Sequence, residues 1–410
     1  MKREKDLKPN RFYQECKPYI LPTDYSKGME LMKTNQAKKF TQKLLAVAGV
    51  EVNGNQPWDM QVHDDAAFAK IISGGSIGLG ETYVNGQWDC ERVDQFIAKV
   101  LRADLHHHLK ANVSLLASYL WHKLYNHQSK KGALEVGVKH YDVGNHLYQT
   151  MLDSRMNYSC GYWAGTEQLE EAQLNKLILC CQKLNLQPGM RILDIGCGFG
   201  GFARYAAEHY GVEVLGVTIS QQQYLYAKEV CAGLPIEIRF QDYRDVTGQF
   251  DRIISIGMFE HVGYLNYRHY MQIVHERLTD DGIFLLHTMG SNSNQVAGDP
   301  WLNKYVLPNG MLPSIEQMGS AIDQLLVMED WHNFGADYDK TLMAWHQRFN
   351  QAWPTLQKDY DANFFRMWNY YLLCFAGSFR AREIQLWQLV LSKNGVLGGY
   401  HAPHHHFQRE

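Results

Sequence analysis

"LDIGCGFGGFARYAAEHYG", residues 193–211, decides the fold: an apolar run ends at Asp194 and Ile195, glycines follow at 196, 198, 200 and 201, and a helical pattern runs on to Gly211. Gly196, Gly198 and Gly201 satisfy G-x-G-x-x-G behind the strand-like "MRILDIG", the arrangement of a nucleotide-binding strand, loop and helix. Glycines permit the tight turn and let backbone amides and the positive helix end approach a ligand closely. A dinucleotide site also needs an acidic residue about twenty positions on, at the end of the second strand. That strand, "VEVLGVTIS", ends at Thr218, so the acid is missing and a dinucleotide oxidoreductase is disfavoured.

Outward from the loop, "MRILDIG", "VEVLGVTIS", "IEIRFQDY", "FDRIISIG" and "GIFLLHTMG" alternate with helical patterns. Alternation of this kind predicts an α/β chain with a doubly wound, mostly parallel sheet. "EIQLWQLVLS" is expected to join the sheet edge as a late strand, after helices that place Leu342, Trp345, Phe349 and Trp353 on one face. Before the sheet, "FTQKLLAVAGV" reads as a helix, "SGGSIGLGETYVNGQWDC" as the centre of strand-like pieces, and "ADLHHHLKANVSLLASYLWHKLYNHQ" as a long helix. The expected divisions are a polar extension over 1–38, a smaller N-terminal accessory domain over 39–128, a catalytic domain over 129–400 and a tail over 401–410. The polar "NHQSKKG" at 126–132 is the linker.

Open sheets bind ligands outside the carboxyl ends of their strands. "GMFEHVG" puts Glu260 at such an end and "LLHTMG" puts His287 at another; if the two strands are neighbours, both side chains face one cleft. A carboxylate and an imidazole converging there can hold a small polar ion or move a proton.

Bulk properties exclude several classes. With 410 residues, 45% of them hydrophobic, the chain can bury a large core, and a net charge of −3 gives no global case for nucleic acid. Eight cysteines without C-x-x-C spacing indicate neither a disulfide framework nor a zinc site. The triplets His106 to His108 and His404 to His406 lack a supporting ligand set, so no metal is assigned. No stretch approaches the ~18 apolar residues of a membrane span, which predicts a soluble or peripheral cytoplasmic protein.

An Asp two positions before the first glycine, as at Asp194, resembles the first motif of S-adenosylmethionine (SAM) methyltransferases. Together with "YSCGYW", "GMFEHVG", "LLHTMG", "KHYDVGN", "QDYRD", "DPWLNKYVLPNG", "EDWHNFGADYDKTLMAW" and "GSFRAREIQLWQ", it makes residues 40 to 400 resemble the bacterial cyclopropane synthases that act on phospholipid acyl chains. The resemblance implies a seven-stranded methyltransferase sheet, SAM as cofactor, and addition of a methylene carbon to the cis double bond of an unsaturated chain with a bound bicarbonate as base. It places Cys160, Glu260, His287, Met289 and Tyr338 at the bicarbonate, Cys160 and Met289 through backbone groups. Cys374 in "LLCFAGSF" matches a cysteine sometimes assigned as catalytic, although this chemistry needs no covalent enzyme intermediate. Tyr158, Ser159, Asp194, Gly196, Cys197 and Gly198 match the methionine and loop contacts, Thr218 and Gln223 the ribose contacts, and Gln241 and Asp242 the adenine contacts. Phe199 stands where the family often has Trp, and Met289 where it can have a branched aliphatic residue.

A substrate buried in a bilayer implies peripheral attachment to the inner face of the cell membrane. The segment Leu105–Tyr125 carries Leu105, Leu109, Val113, Leu116, Leu120 and Leu124 at helical spacing, followed by Lys130 and Lys131, and is the expected docking element. The resemblance also allows a homodimer. Rival readings are a SAM enzyme that methylates lipid without closing a ring and a lipid-binding module without catalysis.

Overall fold

A computed structural model of the chain describes residues 34–103, 105 and 144–406. Helix α1 (Thr34–Val47) buries Ala37, Thr41 and Leu45 at four-residue spacing, so one face is committed to the core and the lysines between them stay outside. It therefore begins inside the stretch expected to be a polar extension. Two short strands, β1 (Gln61–Val62) and β2 (Trp88–Asp89), pair antiparallel.

Between them the glycine-rich stretch expected as strands is helical, forming α2 (Ala66–Gly74) and α3 (Ser76–Val84). Gly75, at φ +56°, breaks one helix from the next. Gly78 and Gly80 remove side chains where α3 meets other groups: a Cβ would lie 2.0 Å from the Lys70 carbonyl at Gly78 and 2.4 Å from the Trp301 ring at Gly80. After α4 (Val93–Arg102) come α5 (Asn145–Met151) and α6 (Leu169–Lys183). The segment proposed to dock on a membrane and the 126–132 linker lie outside the described residues, Leu105 apart.

Strands β3 (Arg191–Ile195), β4 (Glu213–Thr218), β5 (Ile236–Phe240), β6 (Phe250–Ile256), β7 (Leu278–Ser291), β8 (Val327–Asn333) and β9 (Ile384–Ser392) form one sheet in the order β5-β4-β3-β6-β7-β9-β8. Every pairing is parallel except those of β9, which runs antiparallel to both neighbours. The late strand is therefore internal, not at the edge. β9 is buried along almost its whole length, whereas β8 has half-exposed side chains, and a charged strand suits an edge that must resist further pairing. Nothing in the apolar pattern of "VMEDWHN" marks it as a strand.

Side chains alternate across the sheet as the strand period requires. Ile192, Ile254, Leu285 and Val390 face α6 and α7 (Gly201–Tyr210), while Leu193, Ile253, Phe284 and Leu389 face α9 (Tyr267–Arg277) and α11 (Ile315–Ile322). α8 (Gln221–Val230) joins β4 to β5, and α10 (Pro300–Tyr305) carries Trp301 against α3. Two long helices, α12 (Gly335–Leu356) and α13 (Ala362–Ala381), form a hairpin, and α13 also packs on α4. Val93, Phe96 and Ile97 consequently share one apolar cluster with Trp345, Phe349, Leu372 and Phe375. Among the described residues no helix is long and apolar enough to cross a membrane.

Candidate active site

The strand order reverses between β3 and β6, and a cleft opens there beyond the carboxyl ends of β3 to β6, the place where such sheets bind ligands. β3 delivers Asp194, and the turn after it delivers Gly196, Cys197 and Gly198; β4 ends in Thr218, and the first turn of α8 contributes Gln223. Gln241 and Asp242 follow β5, and Tyr158 and Ser159 come from the loop between α5 and α6. All ten residues matched to cofactor contacts line this one cleft, which has about 150 Å³ of free space.

Local chemistry shapes each wall. Gly196 holds φ +80°, and a Cβ there would sit 2.7 Å from Met258 Cγ. The amides of Gly196 and Cys197 both donate to the Val217 carbonyl, at 2.9 and 3.0 Å, which draws the loop onto β4. Thr218 donates to Gln223 Oε1 at 2.9 Å, while Ser220 caps α8 by accepting from the Gln223 amide. Asp242 accepts from the Arg244 amide and from its Nε, each at 2.9 Å.

Asn157 and Lys176, which carry no motif in the sequence, line the cleft beside Ser159, and His261, which follows Glu260 in the "GMFEHVG" expected at the end of its strand, lines it beside Gly257 and Met258. Burial holds the His261 imidazole down at about 4, so the ring is neutral. Lys176 is 1% exposed within α6. Its signal in sequence is a single lysine inside the apolar "LNKLILCC", a pattern that identifies a buried helix face but not the groups brought to meet it.

β6 and β7 are neighbours, with Ile256 opposite His287 and the Gly257 amide donating to the His287 carbonyl at 2.9 Å. Glu260, on a short 3-10 turn just past β6, accepts from the Met289 amide at 2.7 Å through Oε1. Its Oε2 is buried with no hydrogen-bond partner among the described residues, and so is His287 Nε2. Burial raises the Glu260 carboxyl above its ordinary range, against the Met289 amide and the Thr288 hydroxyl. Burial also holds His287 well below the ordinary imidazole value, with the charges of Lys176 and Lys183 acting the same way.

The other matched residues divide. Cys160 is fully buried with Sγ 3.9 Å from Thr341 Oγ1, and burial pushes its thiol well above the ordinary range, so it offers no thiolate. Tyr338, in the first turn of α12, sets its ring 6.0 Å from that of Trp345, which lies 5.2 Å from the Tyr158 ring. Cys374 belongs to a different set of contacts: burial raises its thiol, and its partner Tyr370 meets the Trp301 ring edge-on and the Tyr83 ring at a tilt.

A family model described as mycolic acid cyclopropane synthetase matches residues 128–389. The chain belongs to that family. It is 51% identical over 365 residues to the cyclopropane-fatty-acyl-phospholipid synthase of Escherichia coli (strain K12), a match covering 88% of this chain and 94% of the relative. Among solved structures, the mycolic acid cyclopropane synthase CmaA1 complexed with SAH and CTAB superposes with a TM-score of 0.60 at 28% identity, covering 63% of this chain and 98% of that one. Coclaurine N-methyltransferase, at 20% identity and a TM-score of 0.64 over 77% of this chain and 99% of that one, shares the fold. Family and fold together make the chain a SAM-dependent methyltransferase.

The cleft fits that cofactor. Asp194 is 2% exposed, burial pushes its carboxyl up to about 7 against the charge of Lys176, and its Oδ2 has no hydrogen-bond partner among the described residues. A buried carboxyl of this kind is stabilised in its charged form by a cation, and SAM carries two. In the turn that follows, Gly198 lines the cleft at φ +55°, where glycine is the residue that fits without strain. Among the described residues no group of three or more His, Cys, Asp or Glu is placed to hold a metal ion.

Proposed function

We propose that the chain is a cyclopropane-fatty-acyl-phospholipid synthase, adding the methyl carbon of SAM across a cis double bond of an unsaturated phospholipid acyl chain and closing a three-membered ring. The observation that carries this reading is the likeness to the Escherichia coli enzyme of that name, sustained through 94% of its length. SAM, held by the ten cleft residues, supplies an electrophilic methyl group.

An alkene is a weak nucleophile, so the chain's own contribution is alignment in a dry site. His261, neutral in its buried position, adds no charge to the cleft. The rings of Tyr158, Trp345 and Tyr338 offer aromatic faces to the positive charge that develops on the acyl chain.

Ring closure then requires removal of a proton, and Glu260 and His287 are the residues to hold a bicarbonate, which supplies the base. In the orientation Gln388 takes, its Nε2 donates to His287 Nδ1 at 3.2 Å. The neutral ring then carries its hydrogen on Nε2 and points a donor at an anion. Glu260 Oε2 is the complementary acceptor for the hydroxyl of that ion, while the Met289 amide fixes the carboxylate through Oε1. Tyr338 and the backbone of Cys160 complete the cradle. Cys374 has no place in this scheme, since a thiol held above its ordinary range and bonded to Tyr370 is a poor nucleophile.

Vesicles of cis-monounsaturated or fully saturated phospholipid, incubated with the purified chain and methyl-labelled SAM, test the substrate class. Label is expected only in the unsaturated lipid; label in both, or in neither while SAM still binds, contradicts the reading.

A further inference from the structure

We propose that Lys176 makes the cofactor cleft selective for a ligand bearing a carboxylate, by fixing Ser159 as a hydrogen-bond donor into it. The inference rests on the reading of the cleft as a SAM site and assigns a specificity role within it.

Lys176 Nζ lies 3.1 Å from Asn157 Oδ1 and 3.2 Å from Ser159 Oγ, wholly inside the protein. Asn157 cannot be turned the other way, because its Nδ2 donates to Asp153 Oδ2 at 2.7 Å and its backbone amide donates to Asp153 Oδ1 at 2.7 Å. A buried carboxylate behind it thus sets the amide so that its oxygen faces the lysine. Burial lowers Lys176 from the ordinary lysine value, and the charges of Asp153 and Asp194 oppose that shift. An ammonium has three donors and no acceptor, so Ser159 Oγ must accept from it.

The hydroxyl proton of Ser159 therefore has to go elsewhere. Its carbonyl is already taken by Gln173 Nε2 at 2.8 Å, three residues before Lys176 on the same face of α6, so the backbone is clamped as well. No described residue accepts the proton, and both Ser159 and Lys176 line the cleft. A donor backed by a buried positive charge calls for an anionic acceptor. Asp194 stands on the same cleft and suits a cation. The two together read a zwitterion: the ammonium of the methionine portion at the aspartate, its carboxylate at the serine and lysine.

Decarboxylated SAM, which keeps the sulfonium and amine and lacks only the carboxylate, is the probe. Calorimetric binding of SAM and of this analogue would be compared for the full chain, K176M and S159A, with melting curves as a control. The wild type is expected to prefer SAM by roughly ten- to a hundredfold, the range of a charge-assisted hydrogen bond. K176M and S159A should each abolish most of that preference while binding the analogue about as well as the wild type does. In turnover, K176M should raise KM for SAM more than it lowers kcat. Full preference retained in either variant, or parallel loss of both compounds in a folded variant, overturns the inference. If K176M fails to fold, S159A decides, since it leaves the lysine in place. A wild type that binds neither compound overturns the SAM reading itself and this inference with it.

Discussion

Glu260 Oε2, on the turn past β6, and His287 Nε2, inside the neighbouring strand β7, are buried polar atoms, and neither finds a hydrogen-bond partner among the described residues. Leaving such atoms unpaired is costly, so their pairing by a third group is the economical account of why they are there. E260Q should slow turnover by about a hundredfold or more, the scale of losing a proton-handling group, and leave the SAM dissociation constant nearly unchanged. Equal loss of both in a titration and a rate assay would refute the division between cradle and cofactor loop. Asp194 gives a second test. Its carboxyl is held near 7 rather than at 3.8, so in the free enzyme it is protonated below about 7 and ionised above. A cation favours the ionised form; SAM should therefore bind more tightly as pH rises through about 7, with proton release on binding below that point. Calorimetry in buffers of different ionisation enthalpy reads the proton, and D194N should remove it. Asp194 was legible in sequence because the glycine turn after a strand has a fixed place in this sheet; His287, expected where its strand ends, lies instead inside β7, which pairs with β9 as far as Ser291. Lys176 was not legible, since its partners at 153, 157 and 159 reach it only through the folded loop.

At the level of elements, glycine misled where its job was close approach rather than turning. Read from sequence, "SGGSIGLGETYV" suggests strands; in the fold Gly78 lets α3 cross the Lys70 carbonyl, with no room for a methyl group. G78A should destabilise the chain by ~1–3 kcal/mol, the usual cost of overpacking, measured by urea unfolding. An unchanged midpoint would mean that α2 and α3 shift apart freely. β8 was missed for the opposite reason. Edge position leaves its side chains half in water, so the residues that protect the edge also hide the apolar alternation that marks a strand. β9, buried on both faces, was recognisable as a strand but not its neighbours, because pairing order depends on the intervening helices.

For the molecule as a whole, residues 34–103 lie outside the match to the family model, yet they are built into the packing. At Gly377 a Cβ would lie 2.5 Å from the Asp94 carbonyl, so α13 and α4 meet backbone to backbone. Asp94, fully buried, is paired with Arg92 at 2.8 Å and with Arg380, which also holds Asp339 beside Tyr338. Helix α4 is thus tied to the helix that carries Tyr338, a residue proposed for the cradle. The reach of the 105–125 segment to a bilayer is tested by L116S combined with L120S: the folded variant should float poorly with anionic vesicles, and undiminished flotation would remove the segment from that role. The central claim is ring closure, and it is tested most directly by supplying SAM with a fully deuterated methyl group and counting deuterium on the transferred carbon by mass spectrometry of the lipid. Closure through a base at Glu260 and His287 predicts a ring carbon that keeps two deuterium atoms and a rate that falls when bicarbonate is removed. A branched chain that keeps all three would contradict it.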